Sequence, residues 1–225
     1  MTWRRADVIL AVVAVLVTAG CIRLGIWQLD RLSQRRARNA AVAVRLALSP
    51  ITLHETVSRP ADSLDRRRIV ARGVFDYDHE RVWPARSFDG TPGVALVTPL
   101  RLGPGIAVYV DRGWVPSPDA FTVDQAAYRE GDTVEVAGVA FVAPRGRADV
   151  DPQLAGLPYD LLPVVVQQER PEAAGGGLPR RWPTVRLDNG PHLFYAMQWF
   201  SFAAIALVGT ALLLLKSTRA RDVSP

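Results

Sequence analysis

The sequence predicts a membrane protein in which two transmembrane α-helices flank a β-rich domain, built as a small barrel or a sandwich. Three observations predict it. Val8 to Ile22 is an uninterrupted apolar run near the start of the chain. Leu193 to Leu215 carries no charged residue for 23 positions, which at about 1.5 Å per residue crosses a hydrocarbon core roughly 30 Å thick. Between them, from residue 60 to 170, short runs rich in valine and aromatics are separated by Gly, Pro and Asp turns, and helical periodicity is weak.

The first span is expected from Val8 to Leu29, because apolar character continues through Arg23-Leu24-Gly25-Ile26-Trp27-Gln28-Leu29. Two processed alternatives share its features: Thr18-Ala19-Gly20 resembles a signal-peptide end, and Cys21 after Ala-Gly resembles a lipoprotein site. Against both, Thr18 stands where a lipoprotein pattern wants an aliphatic residue, and the apolar run does not stop at Cys21. Arg23 lies inside the span, about 9 Å from its Leu29 end at the helical rise. If the two spans are antiparallel neighbours, Arg23 reaches the depth of Gln198 and Trp199. It either snorkels to the interface or meets Trp199 or a bound carboxylate.

Asp30 to Arg45 carries Arg31, Arg35, Arg36 and Arg38 in helical register, which predicts a juxtamembrane helix over anionic headgroups, with membrane lipid as a partner. Arginines flank both sides of both spans, so the positive-inside rule does not decide orientation. Two spans do place both termini on one side, opposite the middle domain.

Strands are expected at Arg67 to Phe75, Glu80 to Ala85, Val94 to Leu102, Ile106 to Asp111, Thr133 to Val142 and Val164 to Gln168. Gly103-Pro104-Gly105 is the clearest hairpin turn. Phe121 to Arg129 alone shows helical periodicity. Pro171 to Pro183, with its Gly175-Gly176-Gly177 triplet, reads as a flexible return linker.

The second span begins at Asp188-Asn189-Gly190-Pro191-His192. Proline suits the first turn of a helix, and Asn189 is a candidate cap. At 3.6 residues per turn His192, Tyr195, Trp199 and Ala203 share a face, with Ala196, Ala206 and Thr210 close to it. Two readings stand side by side. One is an interfacial aromatic belt with small residues packed on a neighbouring helix. The other is an axial ligand for a flat amphiphilic cofactor whose acidic edge meets arginines.

Composition narrows the function classes. The 27 basic residues are all arginine except Lys216, which reads as the codon bias of a G+C-rich genome. Although net charge is +5, acids are interspersed and no basic patch interleaved with aromatics occurs, so nucleic-acid binding is not expected. A single cysteine, Cys21, leaves no internal disulfide and no multi-cysteine zinc site. No GxSxG elbow, HExxH helix or glycine-rich phosphate loop is present, and a catalytic role is not expected. His79, in a polar turn, is read as solvated, and His54 as a loop or helix-start residue.

Leu24-Gly25-Ile26-Trp27-Gln28-Leu29-Asp30-Arg31 resembles the LGxWQLxR signature of the Surfeit locus family of cytochrome c oxidase assembly factors. In order along the chain, Val70 to Asp76 is similar to that family's VxGxFD strand and Gly93 to Leu102 to its GxxVxTPLRL run. Val110 to Pro116 matches its V(D/N)RGWVP motif, Val136 to Pro144 its VxGxxxxP strand, and His192 to Phe200 its HxxYAxxWF entry to the last helix. Gly190-Pro191 depart from the polar residues many relatives carry before the histidine.

The resemblance implies a bacterial two-span protein of the cell membrane with an extracytoplasmic β-rich domain. Residues 1–7 and 216–225 would be cytoplasmic termini, 8–29 and 191–215 the spans, 30–59 the juxtamembrane segment and connection, 60–170 the β domain and 171–190 the return linker. It implies an assembly factor that binds haem a and helps insert it into the catalytic subunit of cytochrome c oxidase, with haem a synthase as a further partner. His192 would ligate the haem iron, Tyr195 and Trp199 would flank the ring, and Arg23 or Arg186 would meet the propionates. Asp111-Arg112-Gly113-Trp114 has two readings: a strand-end turn with a local salt bridge and a packed indole, or, as part of the family motif, a surface that docks the oxidase. The alternative function is a scaffold that stabilises an oxidase subunit without touching haem.

Overall fold

The computed structural model describes residues 4–54, 60–143, 156–169, 177–183, 185 and 187–222. In chain order the elements are α1 (Arg5–Ala47), β1 (Ile51–Leu53), α2 (Ala61–Leu64), β2 (Arg68–Phe75), β3 (Arg81–Phe88), β4 (Thr91–Gly103), β5 (Ile106–Pro116), β6 (Thr133–Val142), β7 (Asp160–Gln168) and α3 (His192–Asp222). They form two units, residues 1–41 with 187–225, and residues 42–186.

The first unit is a pair of helices, each long and apolar enough to cross a membrane. Asp7 in the first turn of α1 and Arg45 in its last complement the helix dipole. The buried positions of α1, Ala14, Thr18, Cys21, Gly25, Gln28 and Leu32, alternate steps of four and three, the spacing of a stripe that faces one neighbour. That neighbour is α3, running antiparallel: His192 bonds Gln28, Phe200 lies over Gly25, and Ser217 bonds Asp7. A Cβ at position 25 would come within 2.7 Å of the Phe200 ring, so Gly25 is where that ring fits. Most other large apolar side chains of both helices point outward, as lipid-facing residues do.

The second unit is a closed five-stranded barrel, β2-β6-β7-β5-β4, with β4 pairing back to β2 at Val74↔Arg101 and Phe75↔Leu100. Closure removes the edges that an open sheet would leave unpaired. β5 and β7 run parallel, and the remaining barrel pairs are antiparallel. Period-two alternation fills the interior: Ile69 and Ala71, Val108 and Val110, Val164 and Val166 all turn inward, and Leu53 and Leu64 are buried among them. β3 pairs outside the barrel along β4.

The barrel decides between the two β-rich architectures expected from the sequence, and the Pro104-Gly105 hairpin lies between β4 and β5 as expected. Several expectations differ. β1, a three-residue strand inside the segment expected to connect the membrane to the domain, pairs parallel with β2; it is too short for alternation to reveal. Phe121 to Arg129 holds only a 3₁₀ turn, Gln125–Tyr128, closed by Asp124 accepting from the Ala126 amide. β5 runs on to Pro116, five residues past its expected end, so Asp111-Arg112-Gly113-Trp114 is strand rather than turn.

Candidate functional site

In the helix pair, Pro191 supplies the carbonyl that accepts the first helical bond of α3, from the Tyr195 amide at 3.1 Å. Asn189 does not cap: its side-chain oxygen accepts from Asn39. The approach to α3 is tied to α1 at Asp188, whose carbonyl accepts from Asn39 Nδ2 at 2.8 Å and Arg35 Nε at 3.1 Å. Gly190, at φ +66, bonds the Asp188 side chain and turns the chain into the helix.

This places His192, half-buried, beside the buried amide of Gln28. Its Nδ1 lies 2.9 Å from Gln28 Oε1. An amide oxygen only accepts, so Nδ1 donates to it, and in the neutral ring that leaves the lone pair on Nε2. On the Nε2 side stands Gly190, where a Cβ would be 3.6 Å from that nitrogen; glycine leaves that space open. A neutral imidazole with one nitrogen anchored and the other presented is the arrangement of a histidine that ligates a metal. Among the described residues no group of three or more His, Cys, Asp or Glu could hold a bare ion.

The other residues expected here separate. Ala196 and Ala203 are buried, so the shallow face of α3 is turned to α1 rather than left for a cofactor. Tyr195 stays exposed, and Trp199 is half-buried, edge-on to Phe202 at 5.9 Å. Arg23 does not meet Trp199. It stands two residues from Cys21 and two from Gly25, which puts it on the side of α1 opposite the buried stripe, and among the described residues it has no partner. Arg186 lies outside the described residues. Arg35 is the arginine that reaches the His192 end of α3.

The barrel corrects the reading of Asp111-Arg112-Gly113-Trp114. All four are buried, so they form no docking surface. The register explains this: Leu96 pairs with Gly113 but Val97 with Asp111, leaving Arg112 as the extra residue of a β-bulge. Period-two alternation from Val108 and Val110 points Arg112 inward, where it pairs with Glu80 instead of Asp111. Its guanidinium lies over Phe75 and Tyr77, donates to the Tyr128 carbonyl and stands 3.6 Å from Glu130. Gly113 sits at φ +118, and a Cβ there would run into the Arg180 carbonyl, so the chain needs glycine at this point. Residues 180–182, expected to belong to the flexible return linker, instead grip the bulge. Trp114 and Arg180 exchange backbone bonds at 2.8 and 2.7 Å, Arg181 donates to the Arg112 carbonyl, and Trp182 Nε1 donates to Asp111 Oδ1 at 3.0 Å.

His79 is not simply solvated. Its Nδ1 lies 3.0 Å from Asp76 Oδ2, which also accepts from Tyr159 Oη at 2.9 Å. Burial alone would raise the Asp76 carboxyl, but the bonds from Tyr159 and His79 outweigh it and hold the group below the ordinary carboxylate range. His54 follows β1 and is exposed.

Sequence reasoning passed over Gln28, Glu80 and Trp182. Gln28 had a signal, since an amide within an apolar span needs a partner; the other two pair across 32 and 71 positions.

A family model described as the SURF1 family matches residues 15–204. The chain is 28% identical to a SURF1-like protein of Monosiga brevicollis over 210 residues, covering 82% of this chain and 79% of the relative. It is 26% identical over 240 residues to uncharacterised SURF1-like proteins of Mycobacterium tuberculosis and Mycobacterium bovis, covering 94% of this chain and 84% of theirs.

Proposed function

This chain belongs to the SURF1 family, a family of oxidase assembly factors rather than of catalysts, and from that premise we propose that it presents His192 to haem a on its way into the catalytic subunit of a haem–copper cytochrome c oxidase. The observation that supports this is the Nδ1 bond from His192 to Gln28, which leaves Nε2 as the free donor beside the space at Gly190. Haem a joins a flat macrocycle and a long apolar tail to two propionates, and its iron accepts a neutral imidazole, so a helix end at the membrane boundary suits it. With the shallow face of α3 turned to α1, the macrocycle would be met from the exposed Tyr195 side. Arg35 replaces Arg23 as the cation to meet a propionate. One protein ligand gives moderate affinity, which a carrier that must release its cargo needs. The β domain would lie outside the cytoplasm with both termini inside.

The second reading is a scaffold that holds an oxidase subunit during assembly and never touches haem. The burial of Ala196 and Ala203 favours it, since the small-residue face is already spent on helix pairing. Purification after co-expression with haem a synthesis separates the two. The carrier shows a Soret band that His192→Ala loses, and cells carrying His192→Ala make oxidase poor in haem a. No Soret band in either protein, with normal oxidase haem content, leaves the scaffold.

A further inference from the structure

The barrel unit holds a cavity of about 340 Å³ that the haem reading does not use. It lies outside the barrel wall, because Val165 and Gln167 line it while Val164 and Val166, alternating with them on β7, belong to the interior core. Trp83 of β3, Phe141 of β6 and Trp182 make it largely aromatic. The Arg86 guanidinium, over the Trp83 ring at 5.3 Å, stands at the same wall.

One polar group in this lining is out of place energetically. Asp111 is only 5% exposed. Its Oδ1 accepts from the Gly113 amide and from Trp182 Nε1, each at 3.0 Å. Its second oxygen takes no hydrogen bond from a described residue and is open to the cavity it lines. Burial pushes the carboxyl up to about 6, with Trp182, Gly113, Arg86 and Arg181 offsetting only part of it. A carboxylate this enclosed, with one oxygen open on an aromatic-walled space, marks a place where a donor from outside is to be met.

The surroundings set the chemistry of that donor. Arg86 and Asp111 are the charged groups of the lining and balance one another, Arg181 being paired with Glu130, so a neutral ligand suits it. A cavity of about 150 Å³ accommodates a benzene ring, and this one is about twice as large, which suits two fused rings. Aromatic walls favour a flat molecule over a branched aliphatic one. We propose that this cavity binds a neutral, flat, two-ring aromatic small molecule that donates an O–H or N–H to Asp111, with Arg86 and Gln167 meeting any acceptor on its rim.

The site stands on barrel residues alone and does not depend on His192. The test uses the full chain in lipid nanodiscs, titrated with 2-naphthol and with 2-methoxynaphthalene, which has the same rings but no donor. Indole N–H resonances of Trp83 and Trp182, assigned by Trp→Phe variants, are followed by NMR. Saturable shifts at both indoles are expected with 2-naphthol, and binding weaker by about tenfold or more for the methoxy compound, the worth of one hydrogen bond to a charged acceptor. Asp111→Leu should erase that preference. Val142→Trp, at the exposed margin of the lining, should block both probes while leaving Asp111 in place, which keeps the test decisive if Asp111→Leu does not fold. Equal affinity for the two probes overturns the proposal, as do shifts that never saturate or that survive in Val142→Trp.

Discussion

Arg112 Nη1 and Glu80 Oε2 lie 2.5 Å apart with both side chains sealed from solvent. Thr98 Oγ1 donates to the same carboxylate oxygen, so one anion serves two donors inside the barrel unit. Taking away one member strands a buried charge, which costs roughly 3–5 kcal/mol, whereas replacing both by apolar groups can be close to neutral. Arg112→Met and Glu80→Leu should each lower stability by that amount in denaturant titrations of the purified chain. The double variant should recover part of the loss, and strictly additive losses would show that the two residues do not act as a pair.

Gly113→Ala should cost about 2 kcal/mol or more, because alanine resists φ +118 and its Cβ would displace the Arg180 carbonyl. The damage should be local first. Limited proteolysis is expected to cut between Gly177 and Pro183 in the variant while the parent is spared; equal protection would mean that the grip on the bulge is not needed to hold that segment.

Asp111 sets a pH signature. A folded value of about 6 against an ordinary 3.8 means that the folded state binds this proton more tightly. The associated stability is fully present below about pH 4 and disappears as pH rises through about 6. Asp111→Asn keeps an oxygen for Trp182 and Gly113 but removes the charge, so above pH 7 it should exceed the parent by roughly 1–3 kcal/mol, the gap narrowing towards pH 4. Asp76, held low, pulls the other way in acid. The difference between Asp111→Asn and parent is therefore the quantity to plot, and a gap that does not change with pH would refute the assignment.

Gln28→Leu removes the partner that keeps the His192 proton on Nδ1. If His192 ligates haem a, haem affinity should fall about 10- to 100-fold, the usual loss when the group orienting a ligating histidine is removed. Gln28→Glu should retain more. A difference spectrum recorded during haem titration gives both values, and unchanged affinity in Gln28→Leu would remove Gln28 from the proposed site.

Gly25→Val places side-chain atoms where the Phe200 ring sits, since even a bare Cβ would be 2.7 Å from it. The helix pair should open. A disulfide engineered between Asp7→Cys and Ser217→Cys, two positions whose native side chains already bond, should form readily in the parent and poorly in Gly25→Val. Gly25→Val combined with Phe200→Ala should restore it.

Much of this was legible from residues read in a row. Charge-free runs marked the apolar helices, and alternating valines marked β2, β4, β6 and the hairpin at Pro104-Gly105. The bulge was not legible, because one extra residue reverses the inside-outside alternation from that point. Arg112 looked like a cation paired with the acid beside it because its partners Glu80 and Thr98 stand 32 and 14 positions away. Likewise, helical spacing put His192, Trp199 and Ala203 on one face but could not say that α1 lies against it.

By itself the sequence determined the family, the two apolar helices and the β-rich domain between them, because hydrophobic length and periodicity act over neighbouring residues. Only the tertiary structure decided that the domain closes as a barrel, that Arg112 meets Glu80, that Asp111 faces a cavity and that Gln28 bonds His192. Those pairings depend on strand register and helix apposition, which bring Gln28 to His192 across 164 positions, and no local pattern encodes which buried polar group a distant one must satisfy.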